Sequence, residues 1–290
     1  MKRNIMLLGL LLTVFCGAQA HDYELKVGEF NVLNVSDDVN VVWVGNADSA
    51  GYARFSGADR FADAFIFTNN GKGNLKIQVS VEDVGDPELP TLYVYSNFLT
   101  EIKSTSALNV QASEIPAAAE LKLTLIGNGT LTVTGINSTR VSAKLTTGNG
   151  IMTLSGNTSK ASLTMLGTGQ IRADEMKANT VNCTIMGTGS IYTWAVESLS
   201  TKGIGSTTIY YRGEPSEIKK LGGGKLTPLA SAPAQTSDAA PTEMHVGVIC
   251  VDAEPAQTTE KPVQKVEEEE VEVEIEEEEE EPVTLPERRN

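Results

Sequence analysis

A short motif, Gly-x-Gly-x-apolar, returns along the second half of this chain about once every twenty residues. It reads Gly127-Asn128-Gly129-Thr130-Leu131, Gly148-Asn149-Gly150-Ile151-Met152, Gly167-Thr168-Gly169-Gln170-Ile171 and Gly187-Thr188-Gly189-Ser190-Ile191. Weaker copies begin at Ser104, Gly205 and Gly222. A fixed period of this length marks a solenoid, in which each repeat packs only on its neighbours.

The apolar position of the motif is occupied by Leu108, Leu131, Met152, Ile171, Ile191, Ile209 and Leu226. Two residues further on stand Val110, Val133, Leu154 and Ala173 in the early copies. Upstream of the turns lie Leu123 and Leu125, Leu163 and Met165, and Cys183 and Ile185, with Thr, Ser, Asn and Lys between them. Alternation with period two is the pattern of strands with one buried face. Each repeat therefore reads as strand, glycine turn, strand and a looser return.

Such a unit is too short to hold two strands and a crossover helix. The pattern predicts an all-β fold, a parallel β-helix or β-solenoid of about six to seven rungs stacked about 4.8 Å apart. The glycines Gly127, Gly129, Gly148, Gly150, Gly167, Gly169, Gly187 and Gly189 supply positive φ and room for the neighbouring rung. Between them, Asn128, Asn149, Thr168 and Thr188 are placed to form hydrogen-bonded ladders. A nucleotide-binding loop would need a helix after the glycines, whereas a strand pattern follows every copy.

The ends are different in kind. Lys2 and Arg3 precede the apolar run Ile5–Phe15 and the Ala18-Gln19-Ala20 site, the layout of a secretory signal peptide over residues 1–20. The run is too short for a membrane span, and Phe15 before Cys16 argues against lipidation. From about Ala230 the chain is rich in Ala, Pro, Thr and Glu, and residues 267–281 include twelve Glu. Residues 230–290 thus read as a disordered acidic tail. That run accounts for most of the formal net charge of −15, and no basic patch stands out, so nucleic acid is not an expected partner. Cys183 reads as a buried core thiol, and a disulfide to Cys250 remains open.

Residues 21–100 form a less regular β half, and residues 101–229 the repeat half. Leu75–Val79 and Leu92–Tyr95 alternate cleanly, with turn signals at Asn70-Gly71 and Gly85-Asp86-Pro87. Trp43 and the aromatics of Phe61–Phe67 are expected to fill the core and cap the first rung. An aromatic sugar-binding platform is the competing reading.

Taken together, the export signal, the irregular β half and the ladder of Gly-x-Gly motifs resemble the head GIN domain family of auto-transporter adhesins, found in Bacteroidetes envelope proteins. The resemblance spans about residues 28–228 and is carried best by Gly127–Ile191. It implies a β-helical fold and an adhesin-like role, and it brings no catalytic or binding residues with it.

Chemistry is sparse. His21 and His245 sit in no motif, so a histidine zinc site or a Ser-His-Asp triad is not expected. The best charged cluster is Arg172, Asp174, Glu175 and Lys177, which reads as a solvated rim. Asp37-Asp38 and Glu82-Asp83 read as turn charges, and turns carrying Asn or Thr do not suit repeated calcium sites. No catalytic, cofactor or metal residues are assigned. The expectation is an exported, non-enzymatic binding module of the cell envelope, in the periplasm or at the surface, with an unidentified glycan or protein as partner. A glycan lyase or hydrolase on a β-helix is one alternative. A structural envelope component whose acidic tail binds cations or a basic partner is another.

Overall fold

A computed structural model of the chain describes residues 20–205 and 207–229. The expected signal peptide up to Gln19, the tail with His245 and Cys250, and the Glu run lie outside the described residues. The irregular half contributes β1 (His21–Lys26), β2 (Val32–Val35), β3 (Val41–Gly45), β4 (Tyr52–Gly57), β5 (Phe65–Asn69), β6 (Asn74–Val79) and β7 (Leu92–Ser96). The repeat half contributes β8 (Glu101–Ser104), β9 (Asn109–Ser113), β10 (Ala118–Ile126), β11 (Thr130–Thr146), β12 (Ile151–Gly167), β13 (Gln170–Gly187), β14 (Ser190–Ile204), β15 (Thr208–Arg212), β16 (Glu217–Gly222) and β17 (Lys225–Pro228). A single 3-10 turn, Asp59–Phe61, interrupts the strands.

All seventeen strands join one sheet that winds into a solenoid of about six turns. Two parallel stacks carry it. One runs β6–β2–β8–β10, continues through the second halves of β11 to β14, and ends at β16. The other runs β7–β3–β9, then the first halves of β11 to β14, then β15 and β17.

The inward positions stack in register. Leu92, Val41, Val110 and Leu131 form the start of one column, and Met152, Ile171, Ile191 and Ile209 continue it. Each such buried aliphatic contributes on the order of 1.5–3 kcal/mol relative to exposure. The columns thin toward the end of the chain: Leu163 and Cys183 are followed in register by Thr201 and then Lys220.

Three features depart from the sequence reading. First, the return segment is not loose. Strands β11 to β14 run 15 to 18 residues from turn to turn. The rungs keep pairing around the bends, as in Asn137 opposite Asn157 and Ser138 opposite Thr158. The bends fall where the register shifts, between Val133 and Ile136 or Ala173 and Lys177.

Second, Val110 and not Leu108 lies in register with Leu131, and Leu108 is 40% exposed. Counting back from that register places Ser106 opposite Gly127. The serines build this turn with their hydroxyls: Ser106 Oγ accepts from Leu108 N at 3.0 Å, and Ser104 Oγ accepts from Ser106 N at 3.2 Å.

Third, the rungs are not stacked in chain order. The β2–β3 rung lies between β6–β7 and β8–β9. Antiparallel pairs β1–β4, β4–β7 and β5–β6 close the N-terminal end.

Trp43, Phe61 and Phe65 are core, as the packing reading expected, and Phe67 packs against them partly buried. Trp43 is fully buried and its Nε1–H donates to Ser96 Oγ at 2.8 Å. Phe55 stacks on Tyr23 and meets Phe65 edge-on at 4.9 Å. Cys183 is buried in β13, and burial pushes its thiol up to about 12.

Candidate functional site

The turn glycines meet two demands, a positive φ and a close approach to the next rung, and some meet both. Gly148 has φ +66°, and a Cβ there would lie 2.5 Å from the Gly127 carbonyl oxygen. Gly169 lies outside the left-handed region, yet a Cβ would strike the Gly150 carbonyl of the rung beneath. Gly127, Gly167 and Gly187 share the positive φ of Gly148; Gly129, Gly150 and Gly189 share the close approach of Gly169. The residues between them do form a ladder, but from side chain to backbone. Asn128 Oδ1 accepts from Asn149 N at 2.9 Å, and Thr168 Oγ1 donates to Gly148 O at 3.0 Å. These turns are structural.

The outward face is where chemistry gathers. A solenoid brings residues one repeat apart to neighbouring strands, so an outward position becomes a column. One column reads Thr132, Thr153, Arg172, Tyr192 and Tyr210. Rung spacing matches ring stacking: Tyr192 and Tyr210 lie 4.6 Å apart and within 9° of parallel. The Arg172 guanidinium lies 5.7 Å from the Tyr192 ring on the preceding rung.

A second column, across the bend, reads Asn137, Asn157, Lys177, Trp194 and Arg212. Here β14 takes the bend more tightly than β13, so Trp194 pairs with Lys177 and the Asp174–Met176 segment is passed over. The Lys177 ammonium lies 5.9 Å from the Trp194 ring, within cation–π range. Gly213 on the next rung has φ +91°, and a Cβ there would strike the Ala195 carbonyl and lie 3.2 Å from Trp194 Cδ1. Arg212 reaches past the Trp194 rung to Asp174, 3.7 Å away.

Beside this column a polar depression of about 390 Å³ is lined by Asn137, Asn157, Asn179, Ser138 and Lys177. Two buried polar atoms of the face have no hydrogen-bond partner among the described residues, Ser138 Oγ and Arg212 Nε. A smaller cleft of about 130 Å³ lies at Thr153, Arg172, Asp174 and Glu175.

The predicted cluster Arg172, Asp174, Glu175 and Lys177 is thus split by the bend between the two columns. Arg172 and Lys177 have no ion-pair partner among the described residues, while Asp174 is taken by Arg212. Asp37 and Asp38 serve turns, accepting from Val79 N at 3.0 Å and Ala107 N at 2.6 Å. Sequence reasoning missed Tyr192, Trp194, Tyr210 and Arg212.

A second cleft, of about 440 Å³, lies at the N-terminal end between Tyr23, Phe55 and Tyr93. Its one cation, Arg54, is engaged by Glu24 at 2.7 Å. Its charge is already answered within the chain.

Fold and face together define a β-solenoid head of the kind that displays repeated side chains on a rigid rod. Residues 29–215 match the sequence profile of the family described as "Putative auto-transporter adhesin, head GIN domain", and the chain belongs to that family. Among solved structures it is similar to a "putative adhesin" from Bacteroides fragilis, with 21% identity, TM-score 0.66, and coverage of 73% of this chain and 97% of that one. It is similar also to a "Putative lipid binding protein" from Parabacteroides distasonis, at 18% identity, TM-score 0.55 and coverage of 73% and 98%. A "putative adhesin" from Parabacteroides merdae aligns at 18% identity and TM-score 0.52, over 73% and 97% of the two chains. At these identities the likeness is one of fold. None of the curated proteins matches the chain. Among the described residues, no helix is long and apolar enough to cross a membrane.

Proposed function

We propose that the chain is a non-enzymatic, adhesin-like binding module of the bacterial cell envelope, exported by its N-terminal segment. The solenoid grips its partner through many weak contacts along the outward columns that flank one bend. The observation that carries this reading is the pair of in-register columns, Arg172–Tyr192–Tyr210 and Lys177–Trp194–Arg212. Aromatic and arginine side chains concentrate at binding surfaces because they give much contact area with few rotamers to fix. The adhesin-named relatives support the same reading. As for catalysis, among the described residues the ion pair of the charged cluster joins Asp174 to Arg212, which suits a scaffold better than a proton-transfer pair.

The test is capture of purified envelope polysaccharides and proteins by the chain from His21 to Asn290, beside Trp194→Ala and a truncation after Leu229. Loss of capture on Trp194→Ala with folding intact is the expected result. Capture that depends on the tail alone would move the function to the acidic segment and overturn the reading.

One further observation favours a second reading. Leu166, Met186 and Ile204 form an outward apolar column beside the glycine turns, with Met186 49% and Ile204 57% exposed. The relative named as lipid-binding gives that column a purpose. Sedimentation with lipid vesicles, weakened by Met186→Ser with Ile204→Ser, is the measurement that would favour it.

A further inference from the structure

We infer that the ligand of the two columns is an acidic polysaccharide, laid over the bend between them with its carboxylate or sulfate groups on Arg172, Lys177 and Arg212 and a sugar ring on Trp194. This rests on the binding-face reading above and names its ligand class.

The first argument is charge. The chain as a whole is acidic, yet three cations gather about the bend of β13, Arg172 and Lys177 on that strand and Arg212 on β15, and the first two have no ion-pair partner among the described residues. Exposed cations gathered without ion-pair partners raise the local positive potential, and an acidic polymer answers it.

The second argument is the geometry of the rings. Tyr192 and Tyr210 cover one another at 4.6 Å, and Arg172 lies by Tyr192, so these rings offer edges and hydroxyls. Trp194 stands at the bend with the looser neighbour, Lys177 at 5.9 Å, and is only partly buried. It is the ring able to take an apolar sugar face, while the adjacent ammonium and guanidinium take an acid group on the same sugar chain.

The third argument is hydrogen bonding. Toward the N-terminal rungs the column turns from cation to amide, at Asn157 and Asn137, beside the polar depression. Amides donate and accept together, which suits sugar hydroxyls. The buried Ser138 hydroxyl beside that depression has no hydrogen-bond partner among the described residues, and buried polar groups do not stay unpaired without cost. A nucleic acid would also use cations and rings, but it needs a longer basic track than three residues flanked by Asp174 and Glu175.

The experiment measures binding of the chain from His21 to Asn290 to four immobilised probes: polygalacturonate, dextran sulfate, neutral dextran and a single-stranded oligonucleotide. The two acidic polymers separate carboxylate from sulfate as the source of charge. Expected is binding to at least one of them, about tenfold or more above dextran and falling with added salt. Trp194→Ala, and separately Arg172→Gln with Lys177→Gln, should each weaken it about tenfold; the double variant should also flatten the salt dependence. Trp194→Phe, which keeps a ring, should retain part of the binding, and matched thermal unfolding of all variants excludes misfolding. Dextran bound as well as the acidic polymers, with loss on Trp194→Ala, overturns the acidic class and leaves the binding face standing. Preference for the oligonucleotide also overturns it. Failure of both acidic polymers overturns it too; if envelope capture is then unaffected by the face variants, the binding-face reading falls with it.

Discussion

Gly127 and Gly169 answer different demands, and single methyl groups separate them. At Gly127 φ is +102°, and an added Cβ would meet nothing within 4 Å. The cost of Gly127→Ala is therefore conformational, about 1–2 kcal/mol for an L-residue in the left-handed region. Part of it, about 0.4–1 kcal/mol, is offset because alanine also restricts the unfolded chain. A net loss on the order of 1 kcal/mol is expected.

Gly169 has no such conformation, so Gly169→Ala tests space alone. Its methyl would strike the Gly150 carbonyl oxygen, with Gly150 N and Leu145 Cδ2 each 3.1 Å away. That carbonyl accepts from Gln170 N at 3.0 Å, so the two rungs must part. Overpacking costs about 1–3 kcal/mol, and the strained rung contact adds about 1 kcal/mol for its hydrogen bond. The expected loss is about 2–4 kcal/mol. Urea unfolding, followed by far-UV circular dichroism and by tryptophan fluorescence, reads both. With an m-value of about 2 kcal/mol/M, the midpoints should fall by about 0.5 M and about 1–2 M respectively. Gly127→Asn should recover part of its loss, since asparagine enters the left-handed region more readily, while Gly169→Asn should recover none. A Gly127→Ala cost equal to or above that of Gly169→Ala would refute the division of roles.

Trp43→Phe should destabilise by about 2–3 kcal/mol, through a lost indole volume and the lost bond to buried Ser96; thermal unfolding checks it. In a Cys250→Ser chain lacking residues 1–20, Cys183 should resist thiol reagents at neutral pH and react only on unfolding, because its thiol is buried and its pKa is pushed up to about 12. Labelling at the rate of a free thiol would contradict the sealed core. Acid should loosen β1 selectively. The Tyr23 hydroxyl, and then His21 at 2.5 Å, hold Asp59 below its ordinary 3.8, so this contact is intact above that value and is lost as pH falls through the lowered one. Hydrogen exchange in β1 should rise over that window, and Asp59→Asn should remove the pH dependence.

How far the sequence reveals this molecule depends on where its period holds. The repeat half was legible because stacking forces the same residue type onto the same position: the Gly127 and Gly148 turns and the Leu131–Met152–Ile171 column follow from the spacing. The first half has no period, so nothing in it signals that β2–β3 slips between β6–β7 and β8–β9. The Ser106 turn was misplaced for a related reason. Hydroxyl bonds there replace the glycine that anchors the count, and Leu108 imitates the apolar position that Val110 fills.

The candidate site divides along the same line. Thr132, Thr153, Arg172, Tyr192 and Tyr210 each stand five residues after the first position of their copy, so reading the outward positions down the repeats would have exposed the tyrosine stack. Attention to inward positions hid it. The other column has no constant offset. Lys177 lies ten residues beyond Gly167, but Trp194 lies seven beyond Gly187, because β14 shortens the bend that β13 takes in full. Only the shifted register brings the indole beside the ammonium. An irregularity that breaks the repeat is thus what assembles the mixed cationic and aromatic face. A chain that repeated perfectly would carry Lys177 and Trp194 on separate tracks. Lengthening β14 at its bend should therefore part the indole from the ammonium and weaken ligand capture, although both residues are kept and the rungs before β14 are unchanged.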